Sequence, residues 1–255
     1  KDVLSPPNHK AFSNVPELVD FIEAIAEATG LPVGIKAAIG KLEQWEELAT
    51  IMQTDNRGPD FITVDGGEGG TGAAPPSFAD HVSLPWIYGF SDIYKLFQKR
   101  DLTDRIIFVG SGKLGFPAKA AMAFAMGVDC INVAREAMMS IGCIQAQVCH
   151  TNRCPAGIAT QSKWLQNGIN VPLKSERLAQ YFKTFKKELI EITHAAGYEH
   201  PCQFAMTDIE MNVDDHNLNK DFSHTFNYKK SPVTFKNFQD LMDCEYLGGK
   251  HKLNS

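Results

Sequence analysis

The chain has 255 residues, 44% of them hydrophobic, with 25 basic against 30 acidic side chains and a formal net charge of −5. That length and apolar content can bury a sizeable core, which excludes extended disorder, and the mild acidity lacks the basic domain of a nucleic-acid binder. There is no uncharged apolar run of about 18 residues, so no membrane span is expected, and six cysteines are too sparse for a disulfide scaffold.

Helix and strand signals alternate from Pro16 to about Arg135. Ser13-Asn14 can cap a helix that has Pro16 in its first turn, runs through Phe21, Ile22 and Ile25, and stops at Gly30. Residues 32–37 read as a short strand. Leu42 to Thr54 is an amphipathic helix with Trp45, Leu48, Ala49 and Met52 on one face. A second strand at 61–65 runs into a glycine-rich loop, Ser91 to Lys99 is helical, and 105–110 is a third strand. Helix Phe116 to Met126 leads to a fourth strand at 128–134. Such alternation predicts an α/β fold with a parallel sheet. The strands recur roughly every 32 residues, and eight such units would fill the roughly 250 residues of a β/α barrel. Two architectures are therefore open: a small open sheet, or the sharper reading, the C-terminal half of a TIM (β/α)8 barrel. On the second, residues 1–161 form the partial barrel with a cysteine-cluster segment. Residues 162–255 are then a helical and irregular extension. Its long helix, Ser175 to Ala196, carries Leu178, Phe182, Phe185, Leu189 and Ile192, and 210–255 receives no fold. The chain opens at Lys1 without a secretory signal, as expected of a processed product or, better, of the later part of a longer protein.

Three segments carry possible site chemistry at strand ends. Asp65-Gly66-Gly67-Glu68-Gly69-Gly70-Thr71-Gly72-Ala73 leaves the second strand at its C-terminal end, where barrel sites lie, and glycine lets backbone amides approach a ligand. Glu68 and Thr71 are its polar side chains, and a plain surface loop is the competing reading. Gly110-Ser111-Gly112-Lys113-Leu114-Gly115 ends the third strand and opens a helix, an arrangement of amides and lysine that suits a phosphate. Ala134-Arg135 follows the fourth strand, and barrel phosphate sites are often built from the loops after the last two strands. A surface ion pair is the alternative for Arg135, and a solvated charge for Lys113. Lys36 finishes an apolar strand, so it must face a polar site or pair with a carboxylate.

Cys143, Cys149 and Cys154, the last followed by Pro155, lie within twelve residues and fit thiolate ligation of an iron–sulfur cluster. Three ligands suggest a three-iron cluster or a fourth ligand elsewhere. With His150 the three cysteines could instead form a structural zinc site in a non-catalytic module. Cys130, Cys202 and Cys244 are isolated, and Cys130 is expected in the core.

The glycine-rich segment 66–73, Gly110-Ser111-Gly112-Lys113 and the run from Gly142-Cys143 to Gln161 together resemble the FMN-binding synthase domain of glutamate synthase, over roughly residues 31–208. The Cys-x5-Cys-x4-Cys-Pro spacing is the most specific element. The likeness is greatest to the shorter, stand-alone FMN-binding glutamate synthase proteins. The resemblance implies a β/α barrel holding FMN at its C-terminal mouth and a [3Fe–4S] cluster on Cys143, Cys149 and Cys154. It also implies reductive conversion of 2-oxoglutarate and ammonia to L-glutamate through 2-iminoglutarate. By motif position, Lys36 and Glu68 would be catalytic, facing flavin or substrate. Gly69, Gly70 and Thr71 would lie over the ring, and Gly110, Ser111, Gly112, Lys113, Ala134 and Arg135 would bind the phosphate. Gly-Ser-Gly-Lys-Leu-Gly replaces the family's Gly-Gly-Leu-Lys-Thr-Gly, no amidotransferase segment is recognised, and the first four barrel units are missing. Implied partners are an electron-donor protein or reductase subunit. Self-association or pairing with the missing barrel half is expected as well, in a cytoplasmic setting, with an anchor in a longer parent left open.

Overall fold

A computed structural model describes residues 9–69, 77–212 and 219–230. Its first half alternates as the sequence predicts: α1 (Val15–Thr29), β1 (Gly34–Ala38), α2 (Glu43–Asp55), β2 (Phe61–Asp65), α3 (Trp86–Gln98), β3 (Ile107–Ser111), α4 (Pro117–Met126) and β4 (Cys130–Asn132). Two short helices, α5 (Arg135–Ser140) and α6 (Lys163–Gln166), flank the cysteine segment. The long α7 (Val171–Ala195), the antiparallel pair β5 (Glu210–Asn212) and β6 (Asn219–Asp221), and α8 (Phe222–Phe226) follow.

β1 to β4 form one parallel sheet in chain order. The apolar runs that make β2 and lead into β3 supply its centre: Ile62, Val64, Ile106 and Phe108 are almost wholly buried. Phe108 sits among three rings of α3, with centroid separations of 6.0 Å to Phe90, 5.5 Å to Tyr94 and 5.9 Å to Phe97. The buried face of α2 is Trp45, Leu48, Ala49 and Met52, the four residues its periodicity selects. Asn14 caps α1 by accepting from the Glu17 amide at 2.9 Å, and Gly30 ends it in the left-handed conformation. No described helix is long and apolar enough to cross a membrane.

Several expectations are corrected. α3 begins five residues earlier than its apolar period suggests, at Trp86, because its first amide is capped from elsewhere in the fold. α7 begins at Val171: the Asn170 side chain accepts from the Leu173 amide at 3.1 Å, and Pro172 occupies the first turn. Tyr181 takes the packed position expected of Phe182, which is 43% exposed. Cys130 is exposed, not in the core, because in the three-residue β4 only Ile131 points inward. Within the stretch left without a fold, residues 210–212 and 219–230 are structured. Met206, Phe222, Phe226 and Tyr228 join the sheet's own core, and the Tyr228 hydroxyl donates to the Met126 carbonyl at 2.9 Å. A second apolar cluster joins α4 to α7 through Ala120, Ala121, Ala125, Leu189 and Phe204.

Removing the ring at the centre of this packing leaves a cavity that its aromatic neighbours cannot fill. Phe108→Ala is expected to destabilise the chain by about 3–5 kcal/mol, read as a lowered urea midpoint by circular dichroism.

Candidate functional site

The last residues of the four parallel strands lie in register: Ala38 beside Asp65, Asp65 beside Ser111, and Ser111 beside Asn132. All four following loops therefore leave from one edge. Of the residues singled out at strand ends, Glu68, Gly69, Gly110, Ser111, Gly112, Lys113, Ala134 and Arg135 sit at or just beyond that edge. Lys36 does not finish its strand, because β1 continues two residues further to Ala38. Gly70, Thr71, Gly72 and Ala73 fall outside the described residues.

The glycine-rich loop is closed by a short stem. The Gly66 amide donates to Ser111 O at 2.8 Å, the Gly67 amide to Leu84 O at 2.9 Å, and the Asp80 amide to Gly69 O at 3.1 Å. Glu68 points back into the fold, where both of its oxygens accept from the Trp86 amide, at 2.9 and 3.1 Å. A carboxylate at this position complements the positive end of α3, whose N-cap is a proline with no side-chain acceptor. The Trp86 indole, 1% exposed, lies over the end of β3. A Cβ at Gly112 would come within 2.5 Å of Trp86 Cβ, and one at Gly110 within 3.0 Å of its Cζ2, so both positions require glycine. Lys36, 58% exposed, pairs with Asp65 at 3.0 Å, the carboxylate partner its position called for.

Lys113 and Arg135, from the loops after β3 and β4, converge on one anion, the carboxylate of Asp80. Arg135 grips it with both arms, Nη1 donating to Oδ2 at 3.0 Å and Nη2 lying 2.9 Å from Oδ1, while Lys113 Nζ lies 3.0 Å from Oδ1. Burial opposes the charge on Asp80, but the hydrogen bonds and charges of Arg135 and Lys113 outweigh it and hold the carboxyl below its ordinary value. A planar guanidinium and an ammonium converging in this way also form a donor set for a phosphate. Ala134 is exposed and opens α5, its carbonyl accepting from the Met138 amide at 2.9 Å.

α5, six residues and so about 9 Å long, carries the chain from Arg135 toward the cysteine segment. There the sulfurs meet amide donors. Cys143 Sγ accepts from the Gln145 amide at 3.5 Å and from its side chain at 3.3 Å. Cys154 is 8% exposed; burial disfavours its thiolate, yet the backbone amides of Ala159, Ile158, Ala156 and Gly157 outweigh burial and lower the thiol's pKa. Gly157 makes that turn possible: its φ is +73°, and a Cβ would sit 2.5 Å from Leu165 O. Asn152 and Thr160 close the loop, the Thr160 hydroxyl donating to Asn152 O at 2.7 Å. Cys149 opens a single 3₁₀ turn and is partly exposed. Among the described residues no three His, Cys, Asp or Glu side chains are grouped as a metal-ion site, which bears equally on zinc held by the three cysteines with His150 and on an iron–sulfur cluster held by the cysteines.

The family described as the conserved region in glutamate synthase matches residues 1–199. This chain belongs to the glutamate synthase family. It is 40% identical over 215 residues to the glutamate synthase large subunit-like protein YerD of Bacillus subtilis (strain 168), covering 84% of this chain and 41% of that protein. It is 32% identical over 198 residues to the ferredoxin-dependent glutamate synthase of Pyropia yezoensis, covering 76% and 12%. The archaeal glutamate synthase [NADPH] of Methanocaldococcus jannaschii is 29% identical over 196 residues, covering 77% and 38%. The chain thus spans less than half the length of these glutamate synthase relatives.

Sequence reasoning missed Asp80, Trp86 and the Asn152–Thr160 closure in this glutamate synthase family member. Asp80 follows the glycine-rich run in a stretch without periodicity, and nothing local marks its partners, 33 and 55 residues downstream. A polar Asn and Thr bracketing Cys154-Pro155 were the available signal for the closure.

The depressed pKa of Asp80 fixes the sign of a pH effect. A carboxylate whose folded pKa lies below its unfolded value stabilises the fold fully above the ordinary Asp range, about pH 4, and loses that contribution as pH falls through the folded value. Urea midpoints of wild type and Asp80→Asn should therefore differ near neutrality, with the variant less stable, and converge in acid.

Proposed function

We propose that the chain is the C-terminal half of a β/α barrel in an FMN- and [3Fe–4S]-dependent oxidoreductase that forms L-glutamate from 2-oxoglutarate and ammonia. The observation that carries this reading is the meeting of Lys113 and Arg135, from loops after two consecutive parallel strands, around a single anion. In this reading Lys113 and Arg135, with the amides of 110–112 and of Ala134, hold the FMN phosphate. Gly69, Gly70 and Thr71 cover the ring, and Cys143, Cys149 and Cys154 hold the cluster. When bound, FMN supplies hydride chemistry and the cluster supplies single-electron transfer.

The chain's own work is positioning and charge. Lys36, held along the strand edge by Asp65, presents a cation where an anionic substrate or a negatively charged ring is stabilised. Glu68 holds α3 and the start of the glycine-rich loop at a set spacing, with both carboxylate oxygens engaged by the Trp86 amide. The amides around Cys154 lower its thiol's pKa and so ease formation of the thiolate, the form that binds iron, and those of Gln145 donate to the Cys143 sulfur. β1 and β4 each lack a second partner among the described strands, which supports closure against another barrel half. Relatives named for ferredoxin and for NADPH share this segment, which supports a choice of electron donor made by a partner or by another part of the protein.

Two measurements test the proposal. Anaerobically prepared protein is expected to contain iron and sulfide, and Cys149→Ala to lose both while Cys202→Ala keeps them; stoichiometric zinc without iron would reject the cluster. Arg135→Ala is expected to weaken FMN about 10- to 100-fold in a flavin titration, as loss of a charge-assisted phosphate contact of about 1.5–3 kcal/mol requires.

A further inference from the structure

We propose that Asp80 is the resident occupant of the phosphate subsite, an internal anion that an incoming FMN phosphate must displace; this rests on the reading of Lys113 and Arg135 as that subsite. Three observations carry it. Arg135 Nη1 donates to Asp80 Oδ2 and Nη2 lies 2.9 Å from Oδ1 without a hydrogen bond of its own, and the same two groups are what a phosphate would use. Lys113 is bound to the same carboxylate, so the ion pair consumes both cations at once. Lys113 is also held in the left-handed backbone region, at φ +54°, a conformation unfavourable for lysine, while Asp80, at φ +66°, is a residue that tolerates it.

The consequence is a coupling between the phosphate and the glycine-rich loop. The Asp80 amide is bonded to Gly69 O, at the base of that loop. A phosphate that takes Arg135 and Lys113 expels the Asp80 carboxylate, and the movement is transmitted through the Asp80 amide to Gly69. Apparent FMN affinity then contains the cost of expelling Asp80, in the manner of any site whose competent state is only partly populated. Asp80 is thereby an affinity-setting residue, and a flavin without phosphate gains nothing from its removal.

The test is calorimetric titration of FMN and of riboflavin into the full 255-residue chain as wild type, Asp80→Asn, Arg135→Ala and the double variant. Asparagine keeps the shape of aspartate and tolerates the left-handed backbone, so folding is preserved, as circular dichroism would verify. Asp80→Asn is expected to bind FMN about tenfold tighter than wild type, with riboflavin unchanged, and the gain to vanish when Arg135 is also replaced. A shift of the thermal midpoint by inorganic phosphate in Asp80→Asn, absent in wild type, is the second expected readout. FMN binding by Asp80→Asn that is equal to or weaker than wild type would overturn the proposal and make Asp80 a residue that merely positions the cations. An equal gain for riboflavin, or no FMN binding by any of the proteins, would overturn it too. Unaltered FMN affinity in Arg135→Ala alone would instead reject the underlying phosphate assignment.

Discussion

A parallel sheet whose strands stop in register gathers its loops at a single edge, and the alignment of Ala38, Asp65, Ser111 and Asn132 does this here. Every polar group discussed for the strand-end site depends on it. A slip of one residue in β3 would turn Gly110 and Gly112 away from Trp86 and bring side chains into the space the indole fills. The alignment is maintained by burial of Ile62, Val64, Ile106 and Phe108, so core packing and site geometry are the same constraint seen from two ends of the strands.

Charge at that edge is balanced locally. Lys36 meets Asp65, and Lys113 and Arg135 meet Asp80, so each of these three cations has a carboxylate beside it. Ion pairs of this partly exposed kind add little to stability. Their value is placement: three loops, after β2, β3 and β4, are tied at one carboxylate. The cysteine segment uses uncharged donors for a similar purpose, with amides directed at Cys143 and Cys154 and the Asn152–Thr160 bonds closing the turn. At Cys154 thiolate charge is stabilised by backbone alone.

Glycine has two different uses in the motifs. Gly112 is required because the chain's own Trp86 approaches β3, whereas Gly157 is required for a left-handed turn against the Leu165 carbonyl. A glycine-rich motif read from sequence alone looks like space for a ligand. Part of that space belongs to the indole and to the Glu68 carboxylate that caps α3.

The strand and helix order through Met126, the buried face of α2 and the caps of α1 were legible in the sequence, because period, capping residues and glycine stops are local properties that act within one element. The cysteine spacing and the family were legible for a similar reason: both lie in short contiguous runs. The early start of α3, the exposure of Cys130, the seating of Tyr228 against α4 and the role of Asp80 were not. Glu68 caps α3 from 18 residues away, Tyr228 reaches Met126 across 102, and Asp80 meets Arg135 across 55. Contacts of that separation have no period and no neighbouring residue to announce them. They exist only once the parallel register brings the strand ends to one edge, so the sequence by itself determined the elements and their chemistry, and tertiary packing decided which charges meet.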